Sequence, residues 1–330
     1  MSRRSLGRAL ALTALAGVAL AGCGGSTPAT APSKSLPASD SPTSALSSSP
    51  ALAAPEVDGM VVHASTYDVE ETAQRVTAAL EDVGMVVATV DHAAAAASVG
   101  EELRPTTLVI GGAPMAGTPL MLEQQRAGVD LPQKYLAWQD EDGAVFLAYN
   151  SADYVAARAG IAADSQALSA ARDGSAGIAA SASGNDEPLT DGTEGGPVTA
   201  EGYLVERTSD VSVEEAIARY EQAFTERELM LVGTVDHAVA AASIGAELRP
   251  TSTTFVGNPM VGTTLLQAAQ TFGIDLPVRY LAWEDADGIV RVAHPDIRVL
   301  AERHGATGVE DTLAMVEGAT QMFTGTAANR

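Results

Sequence analysis

Cysteine is almost absent from this chain of 330 residues, which has a single one at position 23. A lone cysteine excludes an intrachain disulfide and a zinc site built from cysteines, so burial of a core must hold the folded part together. Basic residues are also scarce, with 19 lysines and arginines against 42 aspartates and glutamates. Because phosphate binding needs clustered cations, this balance argues against nucleic acid as a partner and predicts a solubilising acidic surface.

Long hydrophobic runs are missing as well, apart from Ala9–Leu20, which is too short to cross a bilayer as a mature helix. This run follows three arginines and ends in Leu20-Ala21-Gly22-Cys23, which resembles the lipobox of bacterial lipoproteins. We therefore expect residues 1–22 to be a signal peptide and Cys23 to carry a lipid anchor on the extracytoplasmic face of the cell membrane. An ordinary secretory signal with a coincidental cysteine is the alternative.

Two segments of low complexity divide the rest of the chain. Residues 23–57 and 163–200 are rich in small and polar residues and lack apolar periodicity, so they bury too little surface to offset the entropy of ordering. We expect a disordered tether in the first and a disordered linker in the second. Two domains follow at 58–162 and 201–306, and residues 307–330 are predicted to be a helical extension without a counterpart in the first domain.

The two domains are copies of each other. Residues 91–120 and 236–265 share 19 identities in 30 positions without a gap, at a constant offset of 236 − 91 = 145. A repeat of this length is too long for a solenoid unit, and it indicates the duplication of a whole domain.

Each copy is predicted to be an α+β domain with the order β-α-β-β-α-β-β and a terminal helix, the helices packed on an open sheet. An amphipathic helix begins after Asp68 in one copy and after Ser212 in the other, each with a capping box. A second helix is expected at about residues 120–127 and 265–272. The last two strands form hairpins around Asp-Gly pairs, for which we expect two-residue turns.

Two repeated polar side chains are candidates for ligand binding. His92 and His237 follow an aspartate at the end of a strand, where an imidazole can move a proton or bind a ligand, or can simply hydrogen-bond the backbone of a loop. Arg104 and Arg249 precede a proline, which favours extended backbone and an outward guanidinium. That group can clamp a carboxylate or phosphate, or pair with a surface acid.

A Gly-Pro segment before the second helix is a further candidate. It can form a rigid turn whose free N–H groups and threonine N-cap cradle an anion, although tight turn geometry alone also explains it. Its candidate residues are Gly112, Pro114, Gly117 and Thr118 in the first copy, and Gly257, Asn258, Pro259, Gly262 and Thr263 in the second. The Asp-Leu-Pro triplets at 130–132 and 275–277 are predicted to end a helix and are assigned no chemistry. The histidine spacing predicts no metal site, and catalytic motifs are absent.

Together these motifs resemble the family called domain of unknown function 302. The resemblance rests on the Asp-His pair, Leu-Arg-Pro-Thr, Gly-Asn-Pro-x-x-Gly-Thr, Asp-Leu-Pro and Trp-x-Asp-x-Asp-Gly, and it covers about residues 59–160 and 202–304. It implies a small α+β domain of the TATA-binding-protein-like class, a tendency to homodimerise and a tandem variant, but no reaction. The first copy departs from the pattern at Ala113, where the second copy has Asn258.

We expect an extracytoplasmic lipoprotein that binds a small or anionic ligand, with its two domains paired within the chain. The sequence identifies no cofactor. One alternative is a structural or partner-docking module of the cell envelope, and another is an enzyme with His92 or His237 as general base. A pocket that contains the arginines would favour binding, and a second titratable group within hydrogen-bond reach of a histidine would favour the enzyme.

Overall fold

The computed structural model describes residues 53–192 and 200–329, and both copies lie in one compact unit. The elements of the first domain are β1 (Met60–Ala64), α1 (Val69–Val83), β2 (Met85–Asp91), α2 (His92–Ser98), β3 (Thr106–Gly112), α3 (Pro114–Glu123), the 3₁₀ helix η1 (Gln125–Asp130), β4 (Lys134–Gln139), β5 (Val145–Asn150), α4 (Ala152–Ala159), α5 (Leu168–Ser183) and β6 (Thr190–Asp191).

The second domain repeats most of this order. Its elements are α6 (Ala200–Tyr203), β7 (Leu204–Ser209), α7 (Val213–Thr225), β8 (Met230–Asp236), α8 (His237–Ser243), β9 (Thr251–Gly257), α9 (Pro259–Ala268), the 3₁₀ helix η2 (Gln270–Asp275), β10 (Val278–Glu284), β11 (Val290–Pro295), α10 (Ile297–Arg303) and α11 (Glu310–Ala328). The predicted α+β class, with helices on an open sheet in each copy, is confirmed.

Helices α1 and α7 begin where the capping residues predict. Asp68 Oδ1 accepts a hydrogen bond from the backbone N–H of Glu71 at 2.8 Å, and Ser212 Oγ accepts one from Glu215 at 3.2 Å. These bonds satisfy backbone donors that a first helical turn leaves free. The apolar stripe of each helix then faces its sheet, with Val76 and Leu80 of α1 fully buried.

Both sheets are antiparallel and share one topology. The first has the strand order β2-β3-β4-β5-β1-β6, and the second has the order β8-β9-β10-β11-β7. The register is also repeated, because Thr106 lies opposite Trp138 in one sheet and Thr251 lies opposite Trp283 in the other. An irregularity in pairing occurs at the same place in β2 and β8.

The hairpin turns differ from the prediction by one residue. Asp140 N–H donates to Ala144 O at 2.9 Å, so the loop between them has three residues, with Gly143 at a φ of +86°. Gly288 takes the same conformation in the second domain. A three-residue loop that ends in a left-handed glycine is the next most common hairpin after the two-residue one.

The second helix begins earlier than predicted. Helix α3 starts at Pro114 and α9 at Pro259, so the Gly-Pro segment is the first turn of a helix and not a loop. Proline is favoured at the first helical position because its missing N–H has no partner there in any case. Thr118 and Thr263 therefore lie inside the helix, and neither is its N-cap.

The segment predicted to be a disordered linker, 163–200, contains a helix. Helix α5 packs on α1 as α11 packs on α7, and Ala179 and Ala182 are buried in the core between α5 and the first sheet. The offset of 145 relates Leu168 to Leu313 and so places α5 in register with α11. The prediction that the C-terminal helix has no counterpart is thus wrong, and the repeat extends through α5.

Each sheet is buried on both faces. One face carries its own helices, and the other face contributes to a core shared by the two domains. That shared core contains Leu136, Trp138 and Phe146 from the first domain with Phe255 and Ile274 from the second. The packing is reciprocal: α2 contacts α9 and α8 contacts α3, while η1 lies on β9 and β10 and η2 lies on β3 and β4.

Within the described part of the chain, no helix is both long and apolar enough to cross a membrane. The predicted signal peptide, Cys23 and the tether up to residue 52 lie outside the described residues.

Candidate functional site

The repeated arginines reach into the opposite domain. Arg104 donates from Nε and Nη2 to Gln270 Oε1, at 3.1 and 2.9 Å. The equivalent atoms of Arg249 donate to Gln125 Oε1, at 3.1 and 2.7 Å. Each glutamine amide then donates, at 2.7 Å, to the threonine two residues after that arginine. The Leu-Arg-Pro-Thr motif of one copy and a glutamine of the other therefore form a reciprocal pair of contacts between the domains.

This contact yields a stability prediction. Replacing Gln270 by leucine removes the acceptor of Arg104 and the donor to Thr106, and we expect the free energy of unfolding to fall by about 1–3 kcal/mol. Urea unfolding of the full chain measures this change. The control is Gln222→Leu, whose amide bonds only the exposed Glu226 just after the same helix and which should change stability by less than about 0.5 kcal/mol. Equal effects in the two variants would contradict a role for Gln270 in joining the domains.

The repeated Asp-His pair begins a helix in each copy. Asp91 Oδ1 accepts from the backbone N–H of Ala94 at 2.9 Å, and Asp236 Oδ1 accepts from that of Val239 at 3.0 Å. The aspartate therefore caps α2 or α8 and does not orient the neighbouring imidazole.

Both repeated histidines are buried and neutral at neutral pH. Burial lowers the pKa of His92 to about 4, against the opposing effects of the Gly273 backbone and Asp91. Burial also lowers the pKa of His237 to about 4, against Asp236 and the Gly128 backbone. In each case the nearby glycine belongs to the 3₁₀ helix of the other domain, so the histidines lie at the junction of the two copies.

The two histidines differ in their hydrogen bonds. His237 Nε2 lies 3.0 Å from Thr253 Oγ1, and that hydroxyl donates to Gly128 O at 2.7 Å. Since the hydroxyl proton is already used, Nε2 must be the protonated nitrogen of the His237 ring. Leu108 occupies the position of Thr253 in the first copy, and Nε2 of His92 has no partner among the described residues.

A cavity of about 510 Å³ brings together candidate residues from both copies. Its wall contains Gly112, Pro114, Gly117 and Thr118 of the first copy and His237 of the second. Helices α1 and α5 add small and apolar side chains to the wall, together with Asp82 and Asp173. The volume falls in the range of known small-molecule sites. We call this space the first cavity.

The second cavity is the equivalent space in the other copy, and it measures about 130 Å³. Its wall contains candidate residues of the second copy and one histidine of the first, namely His92, Gly257, Asn258, Pro259, Gly262 and Thr263. At the positions where α5 has Ala170 and Ile178, α11 has the larger Met315 and Phe323, and both line this smaller cavity. Arg104 and Arg249 line neither cavity.

Polar groups in the first cavity lack the partners that their equivalents have. Asn258 Oδ1 accepts from Met260 N and Val261 N, at 3.1 and 3.3 Å, whereas Ala113 leaves the first turn of α3 without a side-chain cap. Thr263 Oγ1 donates to Pro259 O at 2.7 Å, but Thr118 Oγ1 is buried and has no partner among the described residues. Buried hydroxyl groups are ordinarily hydrogen-bonded.

The Asp-Leu-Pro aspartates, predicted only to end a helix, do end η1 and η2 and also lie in a buried group of charges. Asp130 and Asp275 each accept from Arg279 Nη2 at 2.8 Å. Burial alone raises the pKa of Asp130, but the cations of Arg158, Arg279 and Lys134 outweigh it and lower that pKa to about 2. The repetition of the triplet, with a basic residue four positions after the aspartate, was the available signal in the sequence.

Residues 53–192 and 200–329 contain no group of three or more His, Cys, Asp or Glu side chains placed to hold a metal ion.

The fold and the site define a two-domain α+β protein whose repeated motifs meet where the domains join. The chain belongs to the family "Domain of unknown function DUF302", whose model matches residues 61–175 and 205–323. An uncharacterized conserved DUF302 protein from Bacillus stearothermophilus, known from its crystal structure, is similar to 38% of this chain and 97% of its own, at 14% identity and a TM-score of 0.35.

Two curated relatives come from Brucella. Fluoride-specific ion channel FluC 1 of Brucella suis biovar 1 (strain 1330) is 44% identical over 101 residues, which are 30% of this chain and 40% of the relative. The protein of the same name from Brucella abortus biovar 1 (strain 9-941) is also 44% identical over 101 residues, 37% of its length. This chain therefore spans about two fifths of the length of these relatives.

Proposed function

We propose that this chain is a lipid-anchored extracytoplasmic binding protein, in which the two domains act as one pseudo-dimer and hold a small ligand in the first cavity. The lipid anchor rests on the lipobox-like sequence that ends at Cys23, and the observation that carries ligand binding is the composition of this cavity. Its wall joins an uncapped first turn of α3 and the unpartnered hydroxyl of Thr118 to His237 of the other domain. In an apolar cavity, a few polar groups fix the orientation of a bound ligand, and groups that lack partners within the protein can serve as such contacts.

The lining also indicates the class of ligand. Most of the wall is apolar, and its charged members are Asp82 and Asp173 without any lysine or arginine among the described residues. An anion would be repelled there, so we propose a neutral ligand in place of the anionic one expected from the sequence. Its apolar body would lie along α5, and a carbonyl-type acceptor would take hydrogen bonds from the Met115 N–H and Thr118, because the Ala116 N–H already donates to Ala113 O at 3.0 Å.

The enzyme alternative receives less support. The pKa of about 4 makes each repeated imidazole a weak base. The hydrogen-bond partner of His237 is Thr253, which is not titratable near neutral pH. The docking alternative keeps one supporting observation, because Val83 and Met115 at the first cavity are 56% and 63% exposed.

A thermal-shift experiment on the full chain tests ligand binding. The panel contains medium-chain methyl ketones and N-alkylacetamides. The matching alkanes show the effect of removing the acceptor, and the matching carboxylic acids show the effect of adding a negative charge. Sodium fluoride is added because the Brucella relatives are named fluoride-specific ion channels. A ligand at 100 times its dissociation constant should stabilise the protein by about 2.7 kcal/mol. No stabilisation by any neutral member would move the assignment to the docking module.

Paired threonine variants localise the site. Thr118→Val removes an unpartnered hydroxyl, so we expect unchanged or slightly higher stability without ligand and an affinity about 5-fold to 10-fold lower. Thr263→Val is the matched variant in the second copy and should leave ligand affinity unchanged. The proposal is wrong if both variants bind the ligand as tightly as the natural protein.

The lipid anchor is tested by Cys23→Ser in a bacterial host. We expect the natural chain to incorporate labelled palmitate and to sediment with membranes, and the variant to lose the label and appear in the soluble extracytoplasmic fraction. Ser26→Ala, three positions away, is the control and should behave as the natural chain. A natural chain that takes up no label would contradict the anchor and favour an ordinary secretory signal.

A further inference from the structure

A second feature of the domain junction is a buried charge cluster, separate from both cavities. Its members are Asp130, Lys134 and Arg158 of the first domain with Asp275, Arg279 and Arg303 of the second, and each side chain is at most 2% exposed. Three guanidinium groups and one amine thus face two carboxylates. His304 adds no charge to this balance at neutral pH, because burial lowers its pKa to about 4.

An excess of buried positive charge is costly unless an anion or hydrogen bonds compensate it. Here the hydrogen bonds are incomplete. All three nitrogens of Arg158, the Lys134 amine and Asn150 Nδ2 are buried without a hydrogen-bond partner among the described residues. The nearest carboxylate oxygens are at ion-pair distance only, 3.5 Å from Arg158 Nε and 3.8 Å from Lys134 Nζ, both on Asp130.

The equivalent arginine of the second domain has a hydrogen-bond acceptor for each of its three side-chain nitrogens. Arg303, at the position of Arg158 plus 145, donates to Asp275 at 2.7 Å, to Asn150 Oδ1 at 2.6 Å and to Asp58 O at 2.9 Å. Every branch of its guanidinium therefore has an acceptor. Arg158 makes no such bond.

The groups without partners lie together. The rings of Tyr154 and Tyr203 cover Arg158, with its Cζ at 4.5 and 3.4 Å from their centroids. Arg303 Cζ lies 4.2 Å from the centroid of the same Tyr154 ring, and Arg303 Nη2 donates to Asn150 Oδ1. The nitrogen of that amide, Asn150 Nδ2, has no hydrogen-bond partner among the described residues. The unpartnered donors of Arg158 and Lys134 thus lie at the two oxygens of the Asp130 carboxylate, and the Asn150 amide is linked through Arg303 to the Tyr154 ring that also covers Arg158.

We propose that the buried charge cluster binds a small inorganic monoanion beside Arg158, with Lys134 and Asn150 as further donors. Such an ion would accept hydrogen bonds from the free N–H groups and would neutralise one of the excess positive charges. A monoanion suits the site because the positive charges of the cluster exceed its negative charges by only one when Lys134 is neutral and by two when Lys134 is protonated. The ion would strengthen the junction between the two domains, since Asp275, Arg279 and Arg303 come from the opposite copy.

The test is anion-dependent stability of the full chain. Fluoride, chloride, bromide and nitrate are titrated into a gluconate buffer at constant ionic strength, and unfolding is followed by heat and by urea. We expect a saturable rise for at least one of these ions, reaching about 100-fold in the folding equilibrium constant at 100 times the dissociation constant. Arg158→Met and Lys134→Met should abolish the saturable part, and Arg298→Met, which loses only an exposed pair with Glu317, should retain it.

A crystal soaked in bromide locates the ion directly and does not depend on the folding of any variant. The expected result is an anomalous peak within hydrogen-bond distance of Arg158. The proposal is overturned if no anion gives a saturable effect, or if Arg158→Met shows the same effect as the natural protein. It is also overturned if the electron density beside Arg158 has no anomalous signal and is therefore a water molecule.

Discussion

Replacing Asp275 by asparagine is expected to lower the free energy of unfolding by about 3–5 kcal/mol at neutral pH, the largest loss we expect from any isosteric change in this protein. The carboxylate accepts from Arg303 at 2.7 Å and from Arg279 at 2.8 Å, and His304 Nε2 lies 2.9 Å from it. An amide keeps the volume but removes the counter-charge of Arg303 and leaves Arg279 paired with Asp130 alone. Urea unfolding of the full chain at neutral pH measures the loss.

The pH dependence gives an independent check. Burial by itself raises the pKa of Asp275, but Arg303, Arg279 and the hydrogen bond from His304 hold it well below the usual range. A carboxyl whose pKa is depressed on folding contributes stability that is full above its unfolded pKa, about 3.9, and is lost as the pH falls below it. The difference in stability between the natural protein and Asp275→Asn should therefore shrink as the pH falls from about 4 towards pH 2.

Asp287→Ala is the control, because Asp287 is exposed in a hairpin turn and should change stability by less than about 0.5 kcal/mol. A loss under about 1 kcal/mol in Asp275→Asn, or a difference that does not decrease in acid, would show that the negative charge contributes little to the junction. The repeated Asp-Leu-Pro triplet would then have only the helix-ending role that the sequence suggests.

Local signals in the sequence identified the parts of the fold that local interactions determine. Helices α1 and α7 combine an apolar stripe with a capping residue, and both features act within a few residues of chain. The duplication was equally visible, since it needs only a comparison of the chain with itself. In contrast, the sequence does not show that Arg104 contacts Gln270, because 166 positions separate them. The pairing of each arginine with the other copy depends on how the two domains pack.

Helix α5 was missed for a physical reason. Its buried residues include Ala171, Ser175, Ala179 and Ala182, so its inner face is small and shows no apolar stripe, and its composition is that of a linker. Its counterpart α11 buries Leu313, Val316 and Phe323, and this helix was predicted. The offset of 145 continues through both helices, but substitution has removed most of the identity.

The small residues that hide α5 in the sequence also create the first cavity. At equivalent positions, α5 has Ala170 and Ile178 where α11 has Met315 and Phe323, and the cavity volumes are about 510 and 130 Å³. The protein therefore contains its own comparison between an open and a nearly filled version of one site. If the open version is the binding site, transferring the side chains of α11 to α5 should close it.

The double variant Ala170→Met/Ile178→Phe is expected to abolish stabilisation by ligands of the first cavity, a loss of more than about 100-fold in affinity. The larger side chains are expected to take up space that a ligand would need, since the equivalent Met315 and Phe323 line the smaller second cavity. Because they fill an existing cavity, stability without ligand should stay the same or rise by about 1 kcal/mol. Thermal shift with the neutral ligand series, and calorimetric titration of the best member, measure both quantities.

The matched control is Met315→Ala, which opens the second cavity at an exposed position and should leave binding in the first cavity unchanged. Retained ligand binding in the filled double variant would place the ligand elsewhere and would contradict the first cavity as the site. Loss of binding together with a loss of several kcal/mol in stability would point instead to general disruption of α5. Only a stable, filled variant that no longer responds to ligand supports the cavity, because closure of the space is then the one property that has changed.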